Sequence, residues 1–302
     1  MSGPATGWWR RDHGVRLRWL RWDASAPRGG VLLLHGFGDH VERYEDAVRV
    51  LRGRGWSVLG YDHRGHGGSE GRRGDAPSFE TFLEDLDAAW AEAVATLPEP
   101  VVLYAHSFGA LVAIRWIQTR ADRPAAVVLS APWLATAMPV PGWKRAAERV
   151  FLRIAPGLAI PSGSGRPHYL TRDPDRAAAY RADRRVHHRI TARFHRGVVD
   201  AQSAAAGDGW PAELPTLVVA PGDDPLVDAG VTLRWARSRP GLEVRERPGG
   251  RHELHNDLDR EPALAGIADW LDRAAPAEPE GSARVLAPEH DTEAEATATE
   301  GR

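Results

Sequence analysis

The chain has 302 residues, of which 42% are hydrophobic and 26% charged, a composition typical of a globular protein and not of a disordered or fibrous one. The formal net charge of -2 gives no electrostatic reason to expect a nucleic-acid partner, so we expect a small-molecule substrate. Cysteine is absent, which excludes disulfides, thiolate metal sites and a cysteine nucleophile.

The first twelve residues contain Trp8 and Trp9 but no apolar segment of signal-peptide length. No run of roughly 18 apolar residues, the length of a membrane-spanning helix, occurs anywhere in the sequence. We therefore expect a cytoplasmic protein.

Short apolar runs predict central parallel strands, because strands covered by helices on both faces are apolar throughout. These runs are residues 31–34, 101–104, 126–129 and 217–220. Residues 15–22 alternate more strongly in polarity, which predicts a strand with one solvated face at an antiparallel edge.

Helical periodicity appears between these strands, most clearly over residues 79–96. The apolar positions of that face are Phe79, Phe82, Leu83, Leu86, Trp90 and Val94. The alternation of strands and helices predicts an α/β fold with a doubly wound, mostly parallel sheet.

The alternation stops after Ser130, and prolines punctuate short helical pieces up to about Trp210. We predict an insertion over 131–210 in a single core formed by 14–130 and 211–273. Residues 274–302 are rich in Ala, Glu, Thr and Pro, which predicts a disordered acidic tail.

Residues 101–109 predict a nucleophile elbow, the sharp strand-to-helix turn that presents a catalytic serine. They read Val-Val-Leu-Tyr-Ala-His-Ser-Phe-Gly, an apolar strand that leads into Ser107 and then into a helix over 110–120. Small residues at 105 and 109 suit this turn, because larger ones would collide with the neighbouring strand and helix. An isolated Ser-x-Gly is more often an ordinary turn, so the flanking elements are what indicate a nucleophile.

The strand at 31–34 ends in His35-Gly36-Phe37-Gly38, which predicts the other half of an oxyanion hole. The expected donors are the backbone N–H groups of Phe37 and Phe108, each contributing about 3 kcal/mol to transition-state stabilisation. The alternative is an ordinary strand-to-loop turn.

Several carboxylates follow the strand at 217–220, at the end of the sheet where sites of open α/β folds lie. We predict Asp224 as the acid of a catalytic triad, because Asp223 is better suited to capping the turn and Asp228 to starting the next helix. Asp228 remains the nearest alternative.

The strand over 244–247 leads into a glycine-rich loop that ends at His252, which we predict to be the general base. The order in the chain is then Ser107, Asp224, His252, which is the order of α/β-hydrolases and not of the chymotrypsin or subtilisin types.

Pairs of histidines at 63 and 66, 187 and 188, and 252 and 255 lack zinc-site architecture. The His-Glu-Leu-His at 252–255 is one residue short of the H-E-x-x-H motif. We expect neither a metal nor another cofactor.

Over about residues 14–273 the chain resembles the α/β-hydrolase superfamily. Within it, the chain is similar to the branch of monoacylglycerol lipases and lysophospholipases, also known as serine aminopeptidase S33-like hydrolases. The matching segments are HGFGDH at 35–40 with Arg43 and Tyr44, YDHRGHGGSEG at 61–71, AHSFG at 105–109, LTRDP at 170–174, DPLVD at 224–228 and GRHELHN at 250–256.

The resemblance implies a helical cap inserted after the sixth core strand, where residues 131–210 are found. It also implies hydrolysis of monoacylglycerols, lysophospholipids or simpler esters. The apolar residues Trp143, Ala147, Val150, Phe151, Ile154 and Leu158 follow helical spacing, with basic residues at other positions. This stripe predicts either transient contact of the cap with an anionic membrane surface or packing on the core.

We therefore predict a serine carboxylester hydrolase that acts on a lipid ester through an acyl-enzyme at Ser107. Two alternatives stay open. One is an acyltransferase that passes the acyl group to an alcohol, and the other is a non-catalytic relative that only binds a ligand.

Overall fold

The structure is a computed structural model that describes residues 3–11, 14–138, 142–163 and 165–276. In chain order its strands are β1 (Ala5–Arg10), β2 (Arg16–Trp22), β3 (Gly29–Leu34), β4 (Trp56–Tyr61), β5 (Val101–His106), β6 (Val127–Ser130), β7 (Ala159–Pro161), β8 (Arg189–Thr191), β9 (Thr216–Pro221) and β10 (Leu242–Arg247). Eight of them form one sheet in the spatial order β1-β2-β4-β3-β5-β6-β9-β10, and β7 pairs with β8.

Six neighbouring strands of the large sheet, from β4 to β10, run parallel. β3, β5, β6 and β9 are buried at every residue, as the apolar runs in the sequence predict. The prediction of a mostly parallel sheet is therefore confirmed. β4 is equally buried, although its segment was not among the predicted strands.

The antiparallel edge differs from its prediction by one strand. β2 pairs antiparallel with β4, as expected, but β1 adds outside it and is the true edge. β1 has no buried residue and no apolar run, so its own sequence does not predict a strand, and it depends on pairing with β2. The core predicted to begin at residue 14 thus gains a strand before that position.

Helices lie on both faces of the sheet. In chain order they are α1 (Glu45–Gly53), α2 (Glu80–Thr96), α3 (Phe108–Thr119), α4 (Gly142–Ile154), α5 (Pro167–Leu170), α6 (Pro174–Ala182), α7 (Ala192–Gly207), α8 (Ala229–Arg237) and α9 (Arg260–Ala274). Leu32 and Leu34 of β3 belong to the apolar cluster that contains α2 and α3, whereas Val31 and Leu33 belong to the cluster with α1 and α9. This alternation of side chains along a strand is the basis of the doubly wound arrangement.

The predicted apolar face of residues 79–96 is wrong at one position. Val94 is 41% exposed, whereas Ala93 is fully buried. The reason is helical geometry: Leu86, Trp90 and Ala93 follow the i, i+4, i+7 rule, and Val94 lies one residue further around the helix. None of the helices in the described ranges combines the length and apolar character needed to span a bilayer.

The segment 131–210 contains α4 to α7 and the β7–β8 pair. Its last helix, α7, buries Phe194, Val198, Ala201 and Ala205 in the same apolar cluster as α2 and α3. The rest of the segment lies over the carboxyl ends of the parallel strands, where it lines the cavity described below.

The folded part extends past residue 274, where the tail is predicted to begin. Helix α9 includes Ala274, and Ala275 is buried because it packs on the cluster with α1. Residues 277–302, the bulk of the predicted tail, lie outside the described residues.

Candidate active site

Ser107 lies in the turn between β5 and α3 and has a backbone φ of 53° and ψ of -113°. A positive φ is strained for a residue with a Cβ, so the surrounding structure must hold it. Three backbone hydrogen bonds do so: the N–H of Ser107 donates to the Ser130 carbonyl at 2.9 Å, and the Ser107 carbonyl accepts from the N–H groups of Leu111 and Trp133, both at 3.1 Å.

Gly109 explains why the elbow needs a small residue after the serine. A Cβ at this position would lie 2.6 Å from the carbonyl oxygen of His35 and 2.9 Å from the Cβ of Leu34. Such distances are well below van der Waals contact, so helix α3 can approach β3 this closely only with glycine at 109. The elbow and the His35 loop are therefore packed directly against each other.

His252 lies between Ser107 and Asp224. The hydroxyl of Ser107 is 2.9 Å from His252 Nε2, and His252 Nδ1 is 2.6 Å from Asp224 Oδ2. The other carboxylate oxygen of Asp224 accepts from the N–H groups of Leu226 at 2.8 Å and Val227 at 3.1 Å. The geometry allows His252 to accept the Ser107 proton while Asp224 fixes the orientation of its ring.

The two neighbouring carboxylates lie elsewhere. Asp223 is 60% exposed and forms an ion pair with Arg251. Asp228 caps helix α8 by accepting from the N–H of Val231 at 3.0 Å. Of the three carboxylates that follow β9, only Asp224 contacts His252 in the described structure.

Burial and charge act in opposite directions on His252. Removal from water favours the neutral ring and lowers its pKa, but the charge of Asp224 and the hydrogen bond to it outweigh this effect, and the pKa of His252 is raised. A raised pKa makes the imidazole a stronger base, as proton removal from a serine requires.

The predicted oxyanion donors flank Ser107. Phe108 is the first residue of α3, and the first N–H groups of a helix have no partner within the helix. Phe37 follows β3, and its ring lies 6.4 Å from that of Phe108. Gly36, Phe37 and Ser107 line the same cavity, so both loops face the space in which a substrate would lie.

A cavity of about 630 Å³ opens at Ser107 between the sheet and the segment 131–210. On the core side it is lined by the serine, His252 and two carboxylates, those of Asp39 and Glu253. Its opposite wall is mainly apolar and includes Trp133, Met138, Phe151, Leu158, Ile160, Leu170 and Ile190.

Sequence reasoning did not identify a buried ionic network at the core side of this cavity. Arg43 donates to Asp39 at 2.7 Å and to both oxygens of Glu253 at 2.7 and 2.5 Å, and its guanidinium lies 4.6 Å from the centre of the Tyr180 ring. Burial raises the pKa of Glu253, but the charge and hydrogen bonds of Arg43 prevail and lower it to about 2. The available signal was the position of Glu253 directly after His252.

Of the histidines considered as metal pairs, all but His188 are buried, and His35 is buried with them. His35, His63 and His66 pack around Phe37 and Phe108, and the ring centres of His35 and His63 are 4.5 Å apart. Burial lowers the pKa of His35 to about 4, so its ring is neutral at physiological pH. Within the described residues, no group of three or more His, Asp or Glu is arranged to hold a metal ion.

The sequence matches the family model described as "Serine aminopeptidase, S33" over residues 25–259. Phospholipase YtpA of Bacillus subtilis is 29% identical over 256 residues, which cover 83% of this chain and 98% of that protein. A monoacylglycerol lipase of Mycolicibacterium smegmatis is 29% identical over 263 residues, which cover 85% of this chain and 93% of that protein.

Solved structures of lipases are similar to this chain as well. The crystal structure of the Paleococcus ferrophilus monoacylglycerol lipase has a TM-score of 0.75 and 31% identity, and the match covers 85% of this chain and 99% of that one. A monoglyceride lipase from Saccharomyces cerevisiae in complex with a substrate analog has a TM-score of 0.78 at 18% identity, over 91% of this chain and 97% of that one, which shows a shared fold.

The predicted α/β-hydrolase fold and the predicted family branch are both confirmed by these matches. The chain belongs to the serine aminopeptidase S33 family of α/β-hydrolases, in the branch of monoacylglycerol lipases and lysophospholipases, and is a carboxylic ester hydrolase.

Proposed function

We propose that this protein hydrolyses lipid esters, with monoacylglycerols as the preferred class, through a triad of Ser107, His252 and Asp224. The observation that carries the proposal is the continuous hydrogen-bonded path from the Ser107 hydroxyl through both nitrogens of His252 to Asp224. The core is residues 14–130 and 211–273, preceded by β1, and residues 131–210 act as the cap over the substrate.

The reaction proceeds in two halves. Ser107 Oγ gives its proton to His252 Nε2 and attacks the ester carbonyl carbon, and the resulting oxyanion accepts hydrogen bonds from the N–H groups of Phe37 and Phe108. The C–O bond to the alcohol then breaks, and His252 returns the proton to the leaving oxygen. Water then gives a proton to His252 and attacks the carbonyl carbon of the acyl-enzyme. The bond to Ser107 Oγ breaks, the serine regains its proton from His252, and the fatty acid is released.

The charges beside the triad favour a neutral alcohol over a phosphate-bearing one. Asp39 and Glu253 line the cavity as two buried carboxylates, and Arg43 already engages both of them and the Tyr180 ring. Carboxylates accept hydrogen bonds from glycerol hydroxyls, whereas a phosphate there would meet like charge. Relatives named monoacylglycerol lipase and phospholipase both exist, and this arrangement supports the former activity for this chain.

Labelling and turnover together test the triad. Ser107→Ala should abolish labelling by a fluorophosphonate probe and reduce ester hydrolysis on the order of 10⁵- to 10⁶-fold. Ser203→Ala, which changes an exposed serine of α7, should leave both unchanged. Persistent turnover in Ser107→Ala, or labelling at another residue, would contradict the assignment.

The alcohol preference is tested separately. With matched acyl chains, kcat/KM for a monoacylglycerol should exceed that for a lysophospholipid by at least about tenfold, the effect of one unfavourable charge contact. An equal or higher value for the lysophospholipid would refute the proposed head group.

Analysis of the products in the presence of excess glycerol distinguishes hydrolysis from transfer, and glycerol esters as the main product would indicate an acyltransferase.

The cap also carries the proposed membrane contact. Val150, Ile154 and Leu158 are 54%, 73% and 46% exposed, so part of the predicted apolar stripe faces solvent. Phe151 of the same stripe lines the cavity, and the side chains of Trp143 and Ala147 lie outside the described residues. Exposed aliphatic side chains near basic ones are typical of helices that bind an anionic bilayer surface.

Vesicle binding tests this contact. Ile154→Asp should reduce partitioning onto anionic vesicles, whereas Leu258→Asp, at a residue 59% exposed in the loop before α9, should not. Equal partitioning of the wild type and both variants would refute membrane contact through the cap.

A further inference from the structure

A polar pair of side chains lies in the mainly apolar wall of the cavity. Glu148 of α4 and His195 of α7 both line the cavity, close along the chain to the apolar lining residues Phe151 and Ala192. His195 Nδ1 lies 2.5 Å from Glu148 Oε1. The pair is therefore part of the surface that a bound substrate would cover.

Both side chains keep hydrogen-bonding capacity for a ligand. They are 23% and 31% exposed, and among the described residues Glu148 Oε2 and His195 Nε2 make no further hydrogen bond. Several other polar groups of this wall have protein partners: the Thr191 hydroxyl donates to Asp75, the Trp133 indole donates to the Thr136 hydroxyl, and Arg166 donates to the Tyr169 hydroxyl. The pair is thus open to a substrate.

The position of the pair has a consequence for the acyl chain. In the proposed function the alcohol end of the substrate lies at Asp39 and Glu253, so the acyl chain extends along the cap wall. An unsubstituted chain over Glu148 and His195 would remove water from both groups and offer no hydrogen bond in return, which is unfavourable. A chain that carries a hydroxyl at that depth would replace the lost water, because a hydroxyl both donates and accepts.

We propose that the Glu148–His195 pair is a specificity determinant that favours long acyl chains bearing a hydroxyl group over unsubstituted chains of the same length. This inference rests on the proposed function, in which the alcohol end of the substrate lies at Asp39 and Glu253 and the cavity holds the acyl chain. Chains too short to reach the pair are outside its influence, so the selection appears only as the chain lengthens.

The test compares p-nitrophenyl stearate with the positional series of hydroxystearates, and uses the acetate and butyrate as short references. In the wild type, at least one hydroxystearate should exceed stearate in kcat/KM. In the double variant Glu148→Leu with His195→Leu, the ratio of that hydroxystearate to stearate should fall at least about tenfold, the effect of losing a hydrogen bond to a charged group. Replacing both partners by apolar residues leaves no unpaired charge, which favours retention of the fold.

Matched variants separate selection from general effects. Arg149→Leu on α4 and Asp200→Leu on α7 introduce the same residue at exposed positions of the same helices and should keep the wild-type ratio. Glu148→Gln retains an acceptor and should keep most of the preference for the hydroxystearate.

Two outcomes would overturn the inference. One is an unchanged ratio of kcat/KM values in the double variant. The other is a parallel rise or fall of kcat/KM for stearate and for the hydroxystearate, which would mean that the pair only joins α4 to α7. Failure of the proposed function gives a different result, because Ser107→Ala would then retain turnover whatever the acyl preference.

Discussion

The two walls of the cavity are built in different ways. On the core wall, the residues Ser107 and His252 and the side chain of Asp224 are buried, and each is held by at least two hydrogen bonds. On the cap wall, Leu158 and Ile160 are nearly half exposed, and one side-chain hydrogen bond joins α4 to α7 within the described residues.

The difference follows from what each wall has to do. Proton transfer and oxyanion stabilisation require atoms placed to within a fraction of an ångström, so the groups that perform them need several independent restraints. Acceptance of a lipid chain requires only a surface of suitable polarity, which tolerates motion. Substitutions in the core wall should therefore remove activity or stability, whereas substitutions in the cap should change which substrates or surfaces the protein binds.

After loss of the nucleophile itself, the largest expected effect is on the triad acid. Asp224→Asn should reduce kcat by about 10⁴-fold, because the histidine loses the partner that fixes its tautomer. Asp223→Asn, one residue away but exposed, should remain within about twofold of the wild type. Steady-state hydrolysis of a short ester measures both, and equal losses in the two variants would contradict the assignment of the acid.

The next largest effect is expected for the buried ionic network at the core side of the cavity. Arg43→Ala leaves Glu253 and Asp39 without their cation and should lower the free energy of unfolding by about 3–5 kcal/mol. Arg49→Ala removes a surface ion pair of α1 and should cost no more than about 1 kcal/mol. Denaturant unfolding distinguishes them, and similar values would mean that Arg43 contributes no more than a surface charge.

The buried histidines predict acid sensitivity of the core. The pKa of His35 is lowered by burial from 6.5 to about 4, so the unfolded chain binds a proton that the folded chain excludes between these values. The contribution of His35 to the free energy of unfolding is thus fully present above pH 6.5. It falls by about 3 kcal/mol as the pH is lowered towards 4. Denaturant unfolding across this interval would contradict the prediction if the free energy stayed constant.

A smaller effect concerns the pH dependence of the reaction. Because His252 must be neutral to accept the serine proton and its pKa is raised, kcat/KM should fall about tenfold per pH unit below a midpoint that lies above 6.5. A pH profile with a soluble ester locates that midpoint. A value below 6.5 would indicate that burial, and not Asp224, controls the base.

The smallest expected effect is on the stability of the cap. Ile154→Ala should change the free energy of unfolding by less than about 0.5 kcal/mol, because the side chain is 73% exposed. Ile114→Ala, at a fully buried residue of α3, should cost about 2–5 kcal/mol. A large loss in the first variant would mean that the cap wall is as firmly packed as the core.

Local patterns in the sequence predicted most of the sheet and the candidate site residues. Apolar runs predicted four buried strands, although not β4, and the strand-serine-helix pattern predicted the elbow, because both depend on residues adjacent in the chain. The sequence narrowed the acid to three carboxylates and favoured Asp224. The contact between Asp224 and His252 depends on the parallel pairing of β9 with β10, which brings the loops after these strands together.

Other features had no local signal. β1 is a strand because β2 offers it a partner. Arg43 meets Glu253 across 210 positions of sequence, and Glu148 meets His195 across 47.

The sequence by itself therefore determined the class of fold and the residues capable of the chemistry, since short-range periodicity and turn geometry carry that information. Only the tertiary structure decided which charges neutralise one another and which polar groups face the substrate. Those contacts join distant segments, whose approach is set by strand register and by the packing of helices on the sheet.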